Sequence, residues 1–129
     1  MNLVYFGGGR RLETLRKLHS SPTLKINRIC VASIESNIKI YERFAQENNI
    51  LFEIYRKDDL KDNFLRNGED ILLSVGFRYI IPPTIFLQFK YAVNIHPSLL
   101  PKYRGAYSGY AIIENGELET GITAHFIDE

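Results

Sequence analysis

Short apolar runs alternate along the chain with stretches whose apolar residues recur every three or four positions. Leu3, Val4, Tyr5 and Phe6 form a continuous apolar run that ends in Gly7, Gly8 and Gly9. Continuous runs suit strands covered on both faces, as in a parallel sheet. Residues 10–18 place Leu12, Leu15 and Leu18 three apart, which predicts a short helix with one apolar stripe, stopped by Ser20, Ser21 and Pro22. The alternation then repeats. A strand over 26–33 is followed by a helix over 35–48 with Ile38, Tyr41, Phe44 and Ala45 on one face. A strand over 50–55 precedes a helix over 57–67 carrying Leu60, Phe64 and Leu65, and a fourth strand covers 70–75. Pro82 and Pro83 open a short helix over 84–88, since proline fits the first helical turn. A strand over 91–95, a helix over 107–115 ended by Gly116, and a last strand over 121–127 complete the order.

Strand and helix in regular alternation predict an α/β fold: a doubly wound, mostly parallel sheet with helices on both faces. Sheets of this kind place their ligand crevice at the carboxyl ends of the strands. Gly7, Gly76 and His96 each follow a predicted strand end and are expected to rim one crevice. With 129 residues the chain holds one domain. Its net charge of +1 excludes a polybasic nucleic-acid module and argues against attachment to a membrane surface. The apolar runs are too short to span a bilayer, and the stretch from Met1 to Phe6 lacks the basic region of a secretory leader. A soluble, cytoplasmic protein is expected. Cys30 is the only cysteine, so neither an internal disulfide nor a cysteine-rich metal site is expected, and no metal is assigned. Gly7–Gly8–Gly9 lacks the spacing of a dinucleotide loop, because Leu12 stands where the third glycine belongs. A tight turn is the preferred reading there, with an anion at the helix start as the alternative.

Residues 94–129 are richest in chemistry. They run Asn94–Ile95–His96, Ser98–Leu99–Leu100–Pro101, Tyr103–Arg104–Gly105, then Asn115–Gly116–Glu117 and Thr120–Gly121–Ile122–Thr123. This ordered series closely resembles the folate-dependent formyltransferases, the group that includes glycinamide ribonucleotide, methionyl-tRNA and amino-sugar formyltransferases. The likeness is weaker upstream, through the turn from Gly76 to Pro82 and back to the first strand. It implies a Rossmann-like formyltransferase fold, 10-formyltetrahydrofolate as cosubstrate and an amine as acceptor.

The residues suit that chemistry. Formyl transfer to an amine passes through a tetrahedral species whose oxygen becomes negative, and a carboxamide N–H aimed at that oxygen stabilises charge only as it develops. Asn94 can supply the N–H. An imidazole titrating near neutrality can take a proton from the amine and return one to the leaving nitrogen, and His96 can supply it. Two residues apart on a strand, both side chains share one face. The bland alternative is that Asn94 and His96 cap a turn. The resemblance assigns Asn94 and His96 the catalytic roles. For the folate pocket it implies the turn carrying Gly76, Phe77, Arg78 and Ile80, and the loop Ser98, Leu99, Leu100 and Pro101. Phe77 and Ile81 are equally suited to the core, and Leu99 and Leu100 to plugging a surface loop. Arg104 is read as a rim or solvated charge, His125 as a core histidine that some family members bring near the site, and His19 as a charge at a helix carboxyl end.

A third catalytic residue of the family, an aspartate in an Asp-x-Gly context, follows about seven residues beyond the position of His125. The sequence stops at Glu129, and Asp128 matches an earlier aspartate of that run. The expectation is therefore an amino-terminal, folate-binding catalytic domain over residues 1–129, incomplete at its carboxyl end, and a poor or inactive catalyst by itself. Among acceptors, the modest charge disfavours tRNA. Gly9–Arg10–Arg11 replaces the Ser-Asn phosphate loop of the glycinamide ribonucleotide enzymes. A nucleotide-linked amino sugar is favoured, with Tyr107 and Tyr110 as candidates for the acceptor side. Rival readings are a non-catalytic folate-binding module and a formyltetrahydrofolate hydrolase. The oligomeric state stays open.

Overall fold

In the computed structural model, which describes residues 1–128, six strands form one sheet in the order β3-β2-β1-β4-β5-β6. In chain order the elements are β1 (Asn2–Gly7), α1 (Leu12–His19), β2 (Lys25–Ala32), α2 (Ile38–Glu47), β3 (Leu51–Tyr55), α3 (Lys57–Asn63), β4 (Ile71–Val75), α4 (Pro83–Phe86), β5 (Tyr91–His96), α5 (Ser108–Glu114) and β6 (Thr123–Phe126). The first five strands are parallel, and β6 runs antiparallel to β5. After α5 the chain enters β6 beside the end where β5 stopped, Thr123 pairing with His96, so β6 runs back along β5.

Side chains leave β1 alternately on its two faces, and each face has its own core. Leu3 and Tyr5 join Ile29, Val31, Leu15, Tyr41, Phe44 and Ala45, so one face packs under α1 and α2. Val4 and Phe6 join Cys30, Leu60, Phe64, Ile85, Phe86 and Phe89 under α3 and α4. The helix α1 also agrees with its dipole: Glu13 lies in the first turn, and Arg16, Lys17 and His19 in the last.

Two helices are shorter than their apolar spacing predicts, and in both cases polar side chains take the backbone. The helix α2 begins at Ile38 rather than residue 35, because Glu35 is buried and accepts hydrogen bonds from both the backbone and side-chain amides of Asn37. The helix α3 stops at Asn63. Beyond it the Leu65 carbonyl accepts from Arg28 Nη2 at 3.1 Å and the Asn67 N–H donates to Glu69 at 2.6 Å. Leu65, the last apolar residue of the predicted helix, is exposed.

The connections from β1 lead outward through β2 and β3, while β4 and β5 lie on its other side. The order therefore switches direction between β1 and β4, where α/β sheets open a crevice. Gly8 and Gly76 follow these two strands and pack backbone to backbone. A side chain on Gly8 would run into the Gly76 carbonyl, and Gly76 itself has φ +73°.

Candidate functional site

A cleft of about 570 Å³ opens at this switch point and extends across the carboxyl ends of β1, β4 and β5. Gly76 and His96 border it, as their strand-end positions predict, but Gly7, expected there too, closes β1 beneath the rim and Gly8 borders the cleft in its place. Phe77, Ile81 and Leu100 supply apolar wall, and Arg11, Arg78 and Arg104 bring positive charge. No helix is long and apolar enough to cross a membrane among the described residues.

Asn94 and His96 lie on the cleft side of β5, sharing the strand face of buried Ala92, which packs in the core beneath α4. Ile95 points the other way, into the core under α1 and α2. The antiparallel ladder pairs Asn94 with His125, and Asn94 Nδ2 lies 3.2 Å from His125 Nε2. The other ring nitrogen, His125 Nδ1, is 2.8 Å from the Phe126 carbonyl. A carbonyl only accepts, so Nδ1 carries the proton and Nε2 accepts from Asn94. This bond fixes the carboxamide through one N–H and leaves its second N–H for another acceptor.

His96 is oriented in the same way. Its Nε2 is 2.7 Å from the Tyr103 carbonyl and donates to it, which leaves the lone pair on Nδ1. Tyr103 is held with φ +55°, and its carbonyl also accepts from Ser98 Oγ at 3.3 Å. Ser98 is fully buried and donates to the Lys102 carbonyl at 2.8 Å. Thr123 on β6 ties down the same loop, donating to the Ser98 carbonyl at 2.6 Å and accepting from the Leu100 N–H at 3.1 Å.

Of the residues the sequence pointed to, Asn94, His96, Gly76, Phe77, Arg78, Ile80 and Leu100 border the cleft. Ser98, Leu99 and Pro101 do not. Ser98 is buried beneath the loop. Leu99 is half-exposed and turns toward β6, where its Cδ2 would lie 2.5 Å from a Cβ at Gly121. Phe77 stands edge-on to the core ring of Phe6 at 4.9 Å, so it serves core and cleft together. Tyr107 and Tyr110 are exposed and lie off the cleft wall.

Three residues that the sequence did not single out for the site shape the rim beside β1. The Glu35 side chain is fully buried. Its carboxylate accepts from the Gly9 N–H and Arg78 Nε at 3.0 Å each, and from the Asn37 backbone and side-chain amides at 3.0 and 2.9 Å. Burial pushes this carboxyl up, but those donors outweigh burial and hold it down at about 2. The Tyr41 hydroxyl donates to the Gly8 and Gly9 carbonyls at 3.0 Å. Arg11 lies across Gly76, its Nε buried and without a hydrogen-bond partner. The signal for Glu35 was an acidic residue just past a strand end, opposite a glycine turn.

Comparison with known proteins adds a family. The profile described as Formyl transferase matches residues 3–129. A methionyl-tRNA formyltransferase of Fusobacterium nucleatum is 33% identical over 126 residues, covering 92% of this chain and 40% of that protein. A GDP-perosamine N-formyltransferase of Brucella melitensis is 48% identical over 61 residues, covering 46% of this chain and 24% of that protein. Among solved structures, a glycinamide ribonucleotide transformylase of Geobacillus kaustophilus superposes with a TM-score of 0.76 at 22% identity, covering 99% of this chain and 74% of that one. The chain thus spans well under half the length of these curated relatives.

Proposed function

The chain belongs to the formyl transferase family, and we propose that its cleft takes 10-formyltetrahydrofolate and passes the formyl group to an amine. One observation carries this reading: the Asn94 carboxamide and the His96 ring, on one face of β5, border one cleft with their hydrogen bonding already set. The cleft also fits a folate in size and character. Its volume lies within the usual range of small-molecule sites, and apolar Phe77, Ile81 and Leu100 stand beside the polar pair. In this reading Phe77, Ile80 and Leu100 would hold the pterin end, with Gly76 and Arg78 shaping the turn beside it. Ser98, Leu99 and Pro101 support the loop from below and outside.

Bound cosubstrate supplies the formyl carbon. This chain's own groups contribute as follows. Asn94 offers its free N–H to an oxygen that gains negative charge, a donor fixed beforehand by His125 and so needing no reorganisation. His96 keeps Nε2–H on the Tyr103 carbonyl and uses Nδ1 to take a proton from the attacking amine as its C–N bond forms, then returns that proton to the folate nitrogen as the formyl–folate C–N bond breaks. Ser98, through that same carbonyl, positions the ring.

A nucleotide-linked amino sugar is the acceptor we favour, because a net charge of +1 gives little grip on tRNA. The relatives are divided among methionyl-tRNA, glycinamide ribonucleotide and sugar-nucleotide enzymes. Calorimetric titration with a 10-formyltetrahydrofolate analogue, paired with a deformylation assay, tests the proposal. Saturable binding that Leu100→Asp abolishes, with turnover that depends on Asn94, supports it. Absence of binding overturns it.

A further inference from the structure

The turn after β1 is where an α/β sheet ordinarily receives an anion: a glycine loop, a following helix and the switch point coincide. In this chain the position is already filled from within. The Glu35 carboxylate takes the Gly9 N–H, and it reaches that amide from the far side of β2, as the residue third beyond the strand. Tyr41 fixes the carbonyls of the same turn, and the backbone contact of Gly8 with Gly76 leaves the loop no room to re-form around another group. Arg78, the cation that would otherwise attract a ligand anion to this corner, commits its Nε to Glu35. Its net charge is therefore cancelled. Beside this turn Arg11 lies across Gly76 on the cleft side, with a buried Nε that has no hydrogen-bond partner among the described residues.

We propose that Glu35 is a specificity residue of this cleft: a built-in anion that closes the β1 turn to a terminal phosphate monoester and leaves Arg11 to receive a neutral or singly charged group. The acceptors this admits carry no phosphate, or carry phosphate only as internal diester links, as a sugar nucleotide does. A dianion seated on the Gly9 amide would meet a buried carboxylate that already holds that amide, with one guanidinium instead of two to offset it. The inference rests on the proposed function only in treating this cleft as the acceptor's entrance.

Inorganic phosphate and ribose 5-phosphate are the probes, titrated into the wild-type chain and into Glu35→Ala and Glu35→Gln. The wild type should show no saturable binding of either probe at millimolar concentration. In Glu35→Ala the vacated position should bind phosphate, with affinity at least about tenfold above wild type. Its melting temperature should rise by several degrees with phosphate while the wild type stays unmoved. Adding Arg11→Met to Glu35→Ala should remove most of that gain. If Glu35→Ala does not fold, Glu35→Gln carries the same comparison by titration. Saturable phosphate binding by the wild type, or no gain in either variant, overturns the inference. These readouts need no folate, so the role of Glu35 is tested even in a chain that binds no folate analogue. A phosphate result against Glu35 would equally leave the folate reading standing.

Discussion

Glu69 and Glu35 are both buried against a guanidinium, at opposite ends of the same sheet, and their partners differ in kind. Glu69 lies just before β4, at the amino end, where Arg28 meets it at 2.8 Å with both side chains almost wholly enclosed. Arg28 directs its other donors to Glu53 and the Leu65 carbonyl and stacks over the Phe64 ring at 4.5 Å. Glu35 lies at the carboxyl end, and most of its donors are loop amides, its one cation being the half-exposed Arg78. The amino-end pair joins strands to each other inside a closed core. The carboxyl-end carboxylate joins loops to each other around an open cleft. The same chemistry thus holds the fold at one end and shapes the site at the other.

That contrast fails most visibly if the amino-end pair is expendable. Glu69→Ala leaves Arg28 as an enclosed charge without its main partner, a change that costs about 3–5 kcal/mol. Urea unfolding should report a loss of that size with an unchanged slope. A loss below about 1 kcal/mol would show Arg28 reaching water, and the two ends would no longer differ.

For Asn94, at the carboxyl end, the expected loss is in rate and not in stability. Asn94 is only partly buried and borders the cleft. Asn94→Ala should lower turnover in the deformylation assay by about 10²–10³-fold, the effect of losing one donor to a developing oxyanion. Binding of the folate analogue and the unfolding midpoint should change little. Equal losses in binding and turnover would make Asn94 a packing residue.

How far each end is legible in the sequence follows the same divide. Every strand is legible, because Leu3–Phe6, Ile29–Ala32 and Ile71–Leu73 are apolar runs whose burial on both faces leaves one solution. Asn94 and His96 are legible as a pair because period two on a strand puts them on one face. Three features are not. The antiparallel β6 depends on which end of β5 the chain returns to after α5, which apolar spacing does not encode. Apolar spacing misplaces the helix ends at residues 35 and 67 because Glu35 takes the Asn37 amides and Arg28 takes the Leu65 carbonyl through side-chain bonds. The loop 98–101 reads as one unit, yet a buried hydroxyl, an outward leucine and a cleft-facing leucine alternate along it.

Acid should reach the Glu35 carboxylate last and loosen the loops it holds. The Glu35 carboxyl is held at about 2 in the fold against an ordinary 4.5. Its depressed value contributes stability that is present above about pH 4.5 and lost as pH falls toward 2, in all about 3 kcal/mol. Stability followed from pH 6 to pH 2 should therefore fall with a slope that Glu35→Gln reduces. If Glu35→Gln retained the full slope, another group would carry the acid transition.

The smallest effect belongs to a pair with the same chemistry and no burial. Arg43 and Glu47 sit one turn apart on α2, 2.8 Å from each other, with side chains 80% and 58% exposed. Water solvates both partners whether or not they meet, and salt screens what attraction remains. Glu47→Gln should change unfolding free energy by no more than about 0.5 kcal/mol, and less in about 0.5 M salt. Set beside Glu69→Ala, this substitution removes a carboxylate from the same partner type at the same distance with far less enclosure. A loss at Glu47 approaching that at Glu69 would mean that contact distance governs these pairs. The division between a fold-holding and a site-shaping end would then have to be argued from geometry without burial.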